Sequence, residues 1–515
     1  MSITGHPGVY VHERLLSGQP EYDPSVSTAV FIAAHGRGPT IPTEIRSWSE
    51  FVRLFGGFPA RTSLLPYALY NYFNGGGSVA TIIRVLSETA AAATVSLNDQ
   101  SAATPPPTLE VRAKNPGAWG NRLAVSVSNV GPDSFSLNVH LDGTNTASIV
   151  ERFPELSMDP DSTRFVESIV NSTTTGSAHI AVSDLDSPNS EPTPGTFDWA
   201  TVRPAVTTSP VSLSGGSNGD TPTTQDMTDA IEDLKMVDRN FVLNLPGVSE
   251  DAIIDAALAA CEESGRGFLI VDTSPGMTVP EAATYISSLG ASSFGAAYYP
   301  WLHYRDPAAG ASGATRLLPP GGSVAGLIVA TDTRRGVWKA PAGLDARVPG
   351  AVALERPLSS ADLTALHAAH INPVRHIAQV GLCVYGARTL KKTDADKYVP
   401  IRRTLIYLRQ ALIEQTRWAG FEPNDEVLWG DLRSRVGAFL TGFWQQGGLK
   451  GTTSSEAFYV RCDAAINPPD VVASGEVRVE VGVALRYPTE FVVITLSQWE
   501  GGDAQSFDLG TATVG

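Results

Sequence analysis

The pattern of apolar and polar positions is most regular between Tyr398 and Trp499. Leu405, Leu408 and Leu412 fall at helical spacing in a run that continues to about Trp418, and Arg402, Arg403, Arg409 and Arg417 supply its charge. A turn at Phe421-Glu-Pro-Asn424 separates it from a second amphipathic run, Trp429 to Trp444, which Gly447 and Gly448 end. Beyond it the period changes from 3.6 to 2. Val477, Val479, Val481, Val483 and Leu485 alternate with Arg478, Glu480, Gly482 and Ala484, the signature of a half-buried strand. A further strand is expected over Phe491 to Gln498. Two helices on an antiparallel sheet predict an α+β unit.

Earlier in the chain, residues 7–16 read as one short strand preceded by a Pro-Gly turn, with no hairpin partner beside it, so its backbone groups must be satisfied elsewhere. That partner is either an edge of its own domain or another subunit. Val30 to Ala34 is a buried-type strand. Ser47 and Glu50 suggest a capping box for a helix to Phe55, a second helix spans Ser63 to Phe73, and a strand covers Ala80 to Val85. From Gln225 onward, apolar strands (Phe241 to Leu245, Phe268 to Asp272, Ala296 to Leu302) alternate with helices (Glu250 to Ser264, Pro280 to Leu289). Apolar strands separated by helices predict a parallel sheet covered on both faces. Between Ala90 and Pro222 the composition shifts to Ser, Thr, Pro, Asn and Gly around short alternating runs at 109–113, 123–127, 135–141 and 179–182, which predicts a mostly β insertion.

Chain length adds that several cores are expected among 515 residues, about three domains on a length prior. With 42% hydrophobic and 17% charged residues the chain reads as globular. No apolar run is long enough for a membrane-spanning helix, and Met1 to Pro7 has neither the basic nor the apolar region of a signal peptide. A net charge of -16 argues against nucleic acid or an anionic membrane as the main partner. The basic set is 30 Arg against 7 Lys; Arg suits forked interface ion pairs, although a GC-rich genome gives the same bias. Cys261, Cys383 and Cys462 match no zinc or disulfide spacing and are expected as buried thiols, with folding in a cytoplasm.

Signals for catalysis are weak. No dinucleotide-binding fingerprint, Walker loop or nucleophile elbow is present. Asp272 stands at a strand's C-terminal end, where open sheets place ligand chemistry, but Thr-Ser-Pro-Gly follows it and equally makes an Asx turn. His367, His370 and His376 form the one histidine cluster. Two of them could share a helix face, yet no Glu or Cys beside them completes a ligand set, so an exposed helix end is the expectation. Asn171-Ser-Thr173 matches a glycosylation acceptor and carries nothing without secretion. No cofactor, metal or catalytic residue is expected.

One resemblance organises these readings. Arg402-Arg403, Phe421-Glu-Pro-Asn424, Gly447-Gly-Leu449, Tyr459-Val-Arg-Cys-Asp463, Asn467, Gly475 and Pro488-Thr-Glu-Phe491 occur in an order similar to the C-terminal domain of contractile tail sheath proteins. Leu318-Pro-Pro-Gly-Gly-Ser-Val-Ala-Gly-Leu-Ile-Val-Ala-Thr-Asp332, Arg335-Gly-Val-Trp-Lys-Ala-Pro-Ala342, Ile371-Asn-Pro and Tyr385-Gly-Ala-Arg-Thr-Leu390 extend it upstream, and Pro7-Gly-Val-Tyr-Val11 looks like a sheath N-terminal region. The resemblance implies an α+β / α/β multidomain chain. It has an N-terminal arm (1–27), an α/β sheath core (28–89 and 223–390) with a parallel-type sheet, an inserted mostly-β outer domain (90–222), a tube-proximal C-terminal α+β sheath domain (391–490), and a C-terminal arm and tail (491–515).

It also implies a structural subunit that polymerises with itself as stacked hexameric rings around an inner tail tube protein, bounded by baseplate and terminator or cap proteins. Such a sheath is assembled in the bacterial cytoplasm as part of a phage tail or contractile injection particle, without nucleic acid or membrane insertion. Neighbouring subunits of this family exchange arm strands. The matching segments here are Val9, Tyr10, Val11, His12 and Glu13, and Phe491, Val492, Val493, Ile494, Thr495 and Leu496, with Gly18-Gln-Pro20 and Tyr487-Pro488 as joints. Arg402, Arg403 and Arg409 are candidates for facing an acidic tube; pairing with this chain's own acids is the alternative. The competing functions are a soluble α/β enzyme or binding protein with a β insertion, and a non-contractile adhesin or capsid-like lattice protein.

Overall fold

A computed structural model describes residues 27–58, 63–100, 105–129, 131, 133–185, 199–393 and 395–490. Its centre is an eight-stranded sheet in the order 381–384, 371–377, 295–299, 267–272, 241–244, 28–34, 80–85, 43–45. The six inner strands run parallel, and the two edge strands, Thr43–Ile45 and Gly381–Val384, are antiparallel to their neighbours. Thr28–Ala34 joins the two sequence blocks flanking the insertion, pairing with Phe241–Asn244 on one side and Ala80–Val85 on the other.

The inner strands are apolar on both faces, so each face buries a helical layer. Ala29, Phe31, Val242, Phe268 and Ile270 pack on one side with the helices Leu65–Asn74 and Gly321–Arg335. Val30, Ile32, Leu243, Leu269 and Val271 pack on the other with Thr224–Glu232, Asp251–Ser264, Val279–Ser288 and Ser360–Ala368. Each such aliphatic side chain contributes ~1.5–3 kcal/mol by leaving water.

Three expectations change in detail. The run Ala296 to Leu302 divides into Gly295–Tyr299 in the large sheet and Leu302–Arg305 in a separate three-stranded sheet, with Pro300 between them. Proline offers no N–H to a central ladder, so the chain leaves the sheet there. The alternating run 477–485 keeps its apolar face, but only Glu480–Val483 forms a ladder, against Phe458–Arg461. At the helix Trp48–Phe55 the capping box is half made. Ser47 accepts from the Glu50 N–H, while the Glu50 carboxylate takes the N–H of Arg46 instead. The strand expected at Phe491 to Gln498 lies outside the described residues.

The 90–222 region carries its own core, formed by a four-stranded and a three-stranded antiparallel sheet. Leu109, Val111 and Ala113 face inward, as do Leu123, Val125 and Val127, and Phe135, Leu137 and Val139. The buried Arg84 guanidinium fastens this unit to the sheet, donating to the carbonyls of His35, Gly38 and Pro116. In the C-terminal region the helices Val399–Thr416 and Glu426–Gln445 pack around Tyr407, Leu408, Val436, Leu440 and Phe443. Val337 and Trp338 enter that core from the preceding region, the Trp338 ring lying edge-on to Phe443 at 5.1 Å.

Gly321–Arg335 crosses Leu65–Asn74 closely because Gly322 and Gly326 have no side chains. A Cβ at Gly326 would stand 2.4 Å from the Tyr72 carbonyl oxygen, and one at Gly322 2.4 Å from that of Ala68. Gly326→Ala gains ~1 kcal/mol of helix propensity but incurs ~1–3 kcal/mol of overpacking. The expected result is a lower urea midpoint for the variant; an equal or higher one contradicts this close crossing.

Candidate functional site: the roots of the two arms

Ser27, the last residue of the predicted N-terminal arm, and Glu490, the residue before the predicted C-terminal arm, are each held by an arginine fork. Arg403 donates through one terminal nitrogen to Asp332 Oδ1 at 2.8 Å, and through the other to Asp332 Oδ2 and to Ser27 Oγ at 3.0 Å. The Arg403 side chain is 3% exposed and that of Asp332 0%. A planar guanidinium matches a carboxylate in this bidentate manner, and lysine does not. The pair therefore joins three segments: the start of the first strand, Gly321–Arg335 and Val399–Thr416.

At the other root, Arg388 Nε donates to Glu490 Oε1 at 2.9 Å and a terminal nitrogen to Oε2 at 2.6 Å. Tyr398 Oη donates to Glu490 at 3.4 Å, and His367 Nε2 lies 3.5 Å away. Burial works to raise the Glu490 carboxyl, but Arg388 and His367 outweigh it and hold the group below the ordinary carboxylate range. Burial, assisted by Arg388, holds His367 below the ordinary imidazole value.

The three arginines proposed to face a tube have separate places. Arg403 is corrected: it is interior and neutralised by Asp332, so in this fold no surface can meet it. Arg402 pairs with Asp396 and lies over the Phe294 ring at 4.5 Å, leaving it half-buried. Arg409 is exposed and donates to the Ser264 carbonyl at 3.3 Å. Val9 to Glu13 and Phe491 to Leu496 lie outside the described residues.

The weaker candidates also find places. Asp272 is buried, accepting from the Gly321 N–H at 2.9 Å, Asn244 Nδ2 at 3.1 Å and the Gly247 N–H at 3.4 Å. Its carboxylate sits at the N-terminus of Gly321–Arg335, where exposed N–H groups and the helix dipole favour negative charge. Gly321 fills the space above it, since a Cβ there would meet Asn244 at 2.2 Å, and no substrate can approach. The histidines separate: His367 turns to Glu490, His370 is buried with Nδ1 3.1 Å from the Thr389 carbonyl, and His376 is exposed on a strand. Among the described residues no three His, Cys, Asp or Glu side chains gather as a metal site, and the three cysteines are buried and free. Arg388, Glu490 and Asp332 each stand inside a string that carried the resemblance, but nothing in the pattern paired them, because their partners are 102 and 71 residues distant.

Residues 220–390 match the phage tail sheath protein central domain, and residues 391–498 the phage tail sheath C-terminal domain, together more than half of the chain. The chain belongs to the contractile tail sheath family. The tail sheath protein of Vibrio phage KVP40 is 31% identical over 163 residues, which are 31% of this chain and 23% of that relative's length. Among solved structures, the contracted helical sheath of the anti-feeding prophage aligns at a TM-score of 0.57 and 20% identity, covering 96% of this chain and 100% of that one. The contracted sheath complex of the PVC extracellular contractile injection system aligns at 0.56 and 19%, covering 97% and 99%. A sheath tail protein from Listeria innocua aligns at 0.61 and 15%, covering 89% and 95%. These likenesses establish the fold. Sheath proteins are structural components of phage tails and contractile injection systems, not enzymes.

Two measurements test this geometry. Arg403→Ala leaves Asp332 buried without a counter-charge, so a loss of ~3–5 kcal/mol is expected in denaturant unfolding. Arg409→Ala should stay within ~0.5 kcal/mol; equal losses for both contradict the buried fork. Burial raises Asp272 to about 6, against the three hydrogen bonds that lower it. Between pH ~4 and ~6 the folded state therefore holds a proton that the unfolded chain has released, and this group's contribution falls as pH rises, by about 3 kcal/mol in all. Asp272→Asn should lack that slope in unfolding curves measured across the window, and an unchanged slope contradicts the assignment.

Proposed function

We propose that this chain is the subunit of a contractile sheath that stacks as hexameric rings around an inner tube and shortens to drive the tube through a target envelope. The observation that carries the reading, beyond family membership, is the small sheet Phe458–Arg461 with Glu480–Val483. Phe458, Val460, Val481 and Val483 bury one face against the C-terminal helices, yet among the described residues no further strand pairs with either edge of the sheet. A two-stranded ladder is marginal by itself, and open edges accept added strands. Strands with sequences like Val9 to Glu13 or Phe491 to Leu496, donated by neighbouring subunits, would complete it.

The energetics favour several links over one. A donated strand makes a handful of backbone bonds worth a net ~0.5–1.5 kcal/mol each. That scarcely offsets an association cost of ~4–15 kcal/mol. Links repeated around a ring gain through effective concentration. The forks at Ser27 and Glu490 support this arrangement, because a borrowed arm transmits force only if its root is held. Tyr487-Pro488 and Gly18-Gln-Pro20 are the proposed joints. The remaining partners are a tube protein, a baseplate and a terminator or cap, with assembly in the bacterial cytoplasm, and Arg402 and Arg409 stay as proposed tube-side residues. No nucleotide is consumed in this reading, so the extended sheath is metastable.

Negative-stain microscopy of three purified forms tests it. The full chain should give rods or rings. Forms lacking 1–26 or 491–515 should give folded, non-polymeric protein. Rods from both truncated forms, or a small discrete oligomer from the full chain, contradict the reading.

A further inference from the structure

Around the C-terminal end of Gly321–Arg335 runs an open trough. It comprises two cavities of about 1000 and 910 Å³ with no lining residue in common, and between them a third of about 250 Å³ that shares Arg335 and Lys339 with the first and Arg334 and Asp345 with the second. Arg334, Lys339, Arg347, Arg375 and Arg486 line it. None of the five has a carboxylate partner among the described residues. Arg334 donates to the Ala330 carbonyl, Arg486 to that of Leu449, and Arg375 lies over the Tyr385 ring. The two acids on the walls, Asp345 and Glu490, are already paired with Arg335 and Arg388. In a chain carrying -16 overall, five cations without counter-charges in one concavity call for an anionic occupant.

A separate surface of the protomer bears the complement. The helices Thr224–Glu232 and Asp251–Ser264 pack against the other side of the strands from Gly321–Arg335. With the short turn after the first helix, they present Asp229, Glu232, Asp255, Glu262 and Glu263 as exposed acids. Of these only Glu232 has a cationic partner among the described residues, the exposed Lys235 at 3.4 Å. Three of the others meet neutral groups: Asp229 accepts from Gln225, Asp255 from the Gly290 N–H and Glu262 from Ser292.

We infer that the occupant of the trough is the acidic two-helix face of a second copy of this chain. Complementary surfaces at two different places on one protomer make a heterologous contact, which propagates from copy to copy instead of closing on itself as a two-fold dimer does. The inference deepens the sheath reading by naming a second contact besides the arms. Because it consists of exposed ion pairs, it weakens as salt shortens the screening length below about 8 Å.

The test uses two full-length variants. The first carries Lys339→Glu, Arg347→Glu and Arg375→Glu; the second carries Asp229→Lys, Asp255→Lys and Glu263→Lys. Thermal melts within a few degrees of the wild type check folding. Each variant alone should need at least about tenfold more protein to associate in sedimentation velocity at low salt, as ion-pair loss predicts. Mixed one to one, they restore both contacts and should associate within about threefold of wild type. Normal self-association of the first variant overturns the inference while leaving the sheath reading intact. Failure of the mixture to recover also overturns it, and assigns the trough to another anion such as the acidic stretch Glu500 to Asp508 or the tube. Association of the two variants with each other stands as support even if the wild type forms no rods, the outcome that counts against the sheath reading alone.

Discussion

The fork between Arg403 and Asp332 is the constraint on which the arrangement of this molecule depends. Two opposite charges removed from water carry a desolvation penalty that their attraction repays only with good geometry and satisfied lone pairs. Here both carboxylate oxygens are engaged and a spare donor reaches Ser27, so the geometry is complete. Such a pair adds little net stability, but loss of either partner leaves a buried charge uncompensated, which ties together the segments it joins. Those segments are the first strand of the large sheet, the helix beneath it and the first helix of the C-terminal region.

Gly321–Arg335 acts as the spine of that arrangement. Asp272 holds its N-terminus and Arg403 grips it through Asp332 near the other end, while Gly322 and Gly326 bring Leu65–Asn74 against its flank. Trp338, just beyond it, enters the C-terminal core. The segments beginning at Ser27 and ending at Glu490 thus join a body braced by close packing and buried hydrogen bonds. In the proposed sheath such a body would move as a unit, leaving rearrangement to its joints and to contacts between copies. Its charge distribution follows the same layering, with cations collected beside the spine and acids on the helices across the sheet.

The elements themselves were legible because they obey local rules. The helix from Tyr398, the strands at 241, 268 and 80, and the β character of 90–222 follow from apolar period, caps and turn residues. Where local rules failed, a specific competitor won. Pro300 split one apolar run between two sheets, and Arg46 took the Glu50 carboxylate from the expected box. The string Gly336-Val-Trp-Lys-Ala-Pro341 was recognisable as a family marker, yet that its tryptophan bridges two regions is a matter of packing alone.

Sequence by itself determined the fold class, the order of elements and, through the spacing of its motifs, membership of the sheath family. Those properties are written in neighbouring residues, whose periodicity and turn chemistry act over a few positions. Tertiary structure alone decided which charges are spent internally and which remain for partners. Arg402, Arg403 and Arg409 look equivalent along the helix, but the fold buries one against an aspartate 71 residues away, half-covers the second and leaves the third in solvent. The reason is that the fate of a charge is set by what the chain brings back to it from far along the sequence, and no local pattern encodes that return.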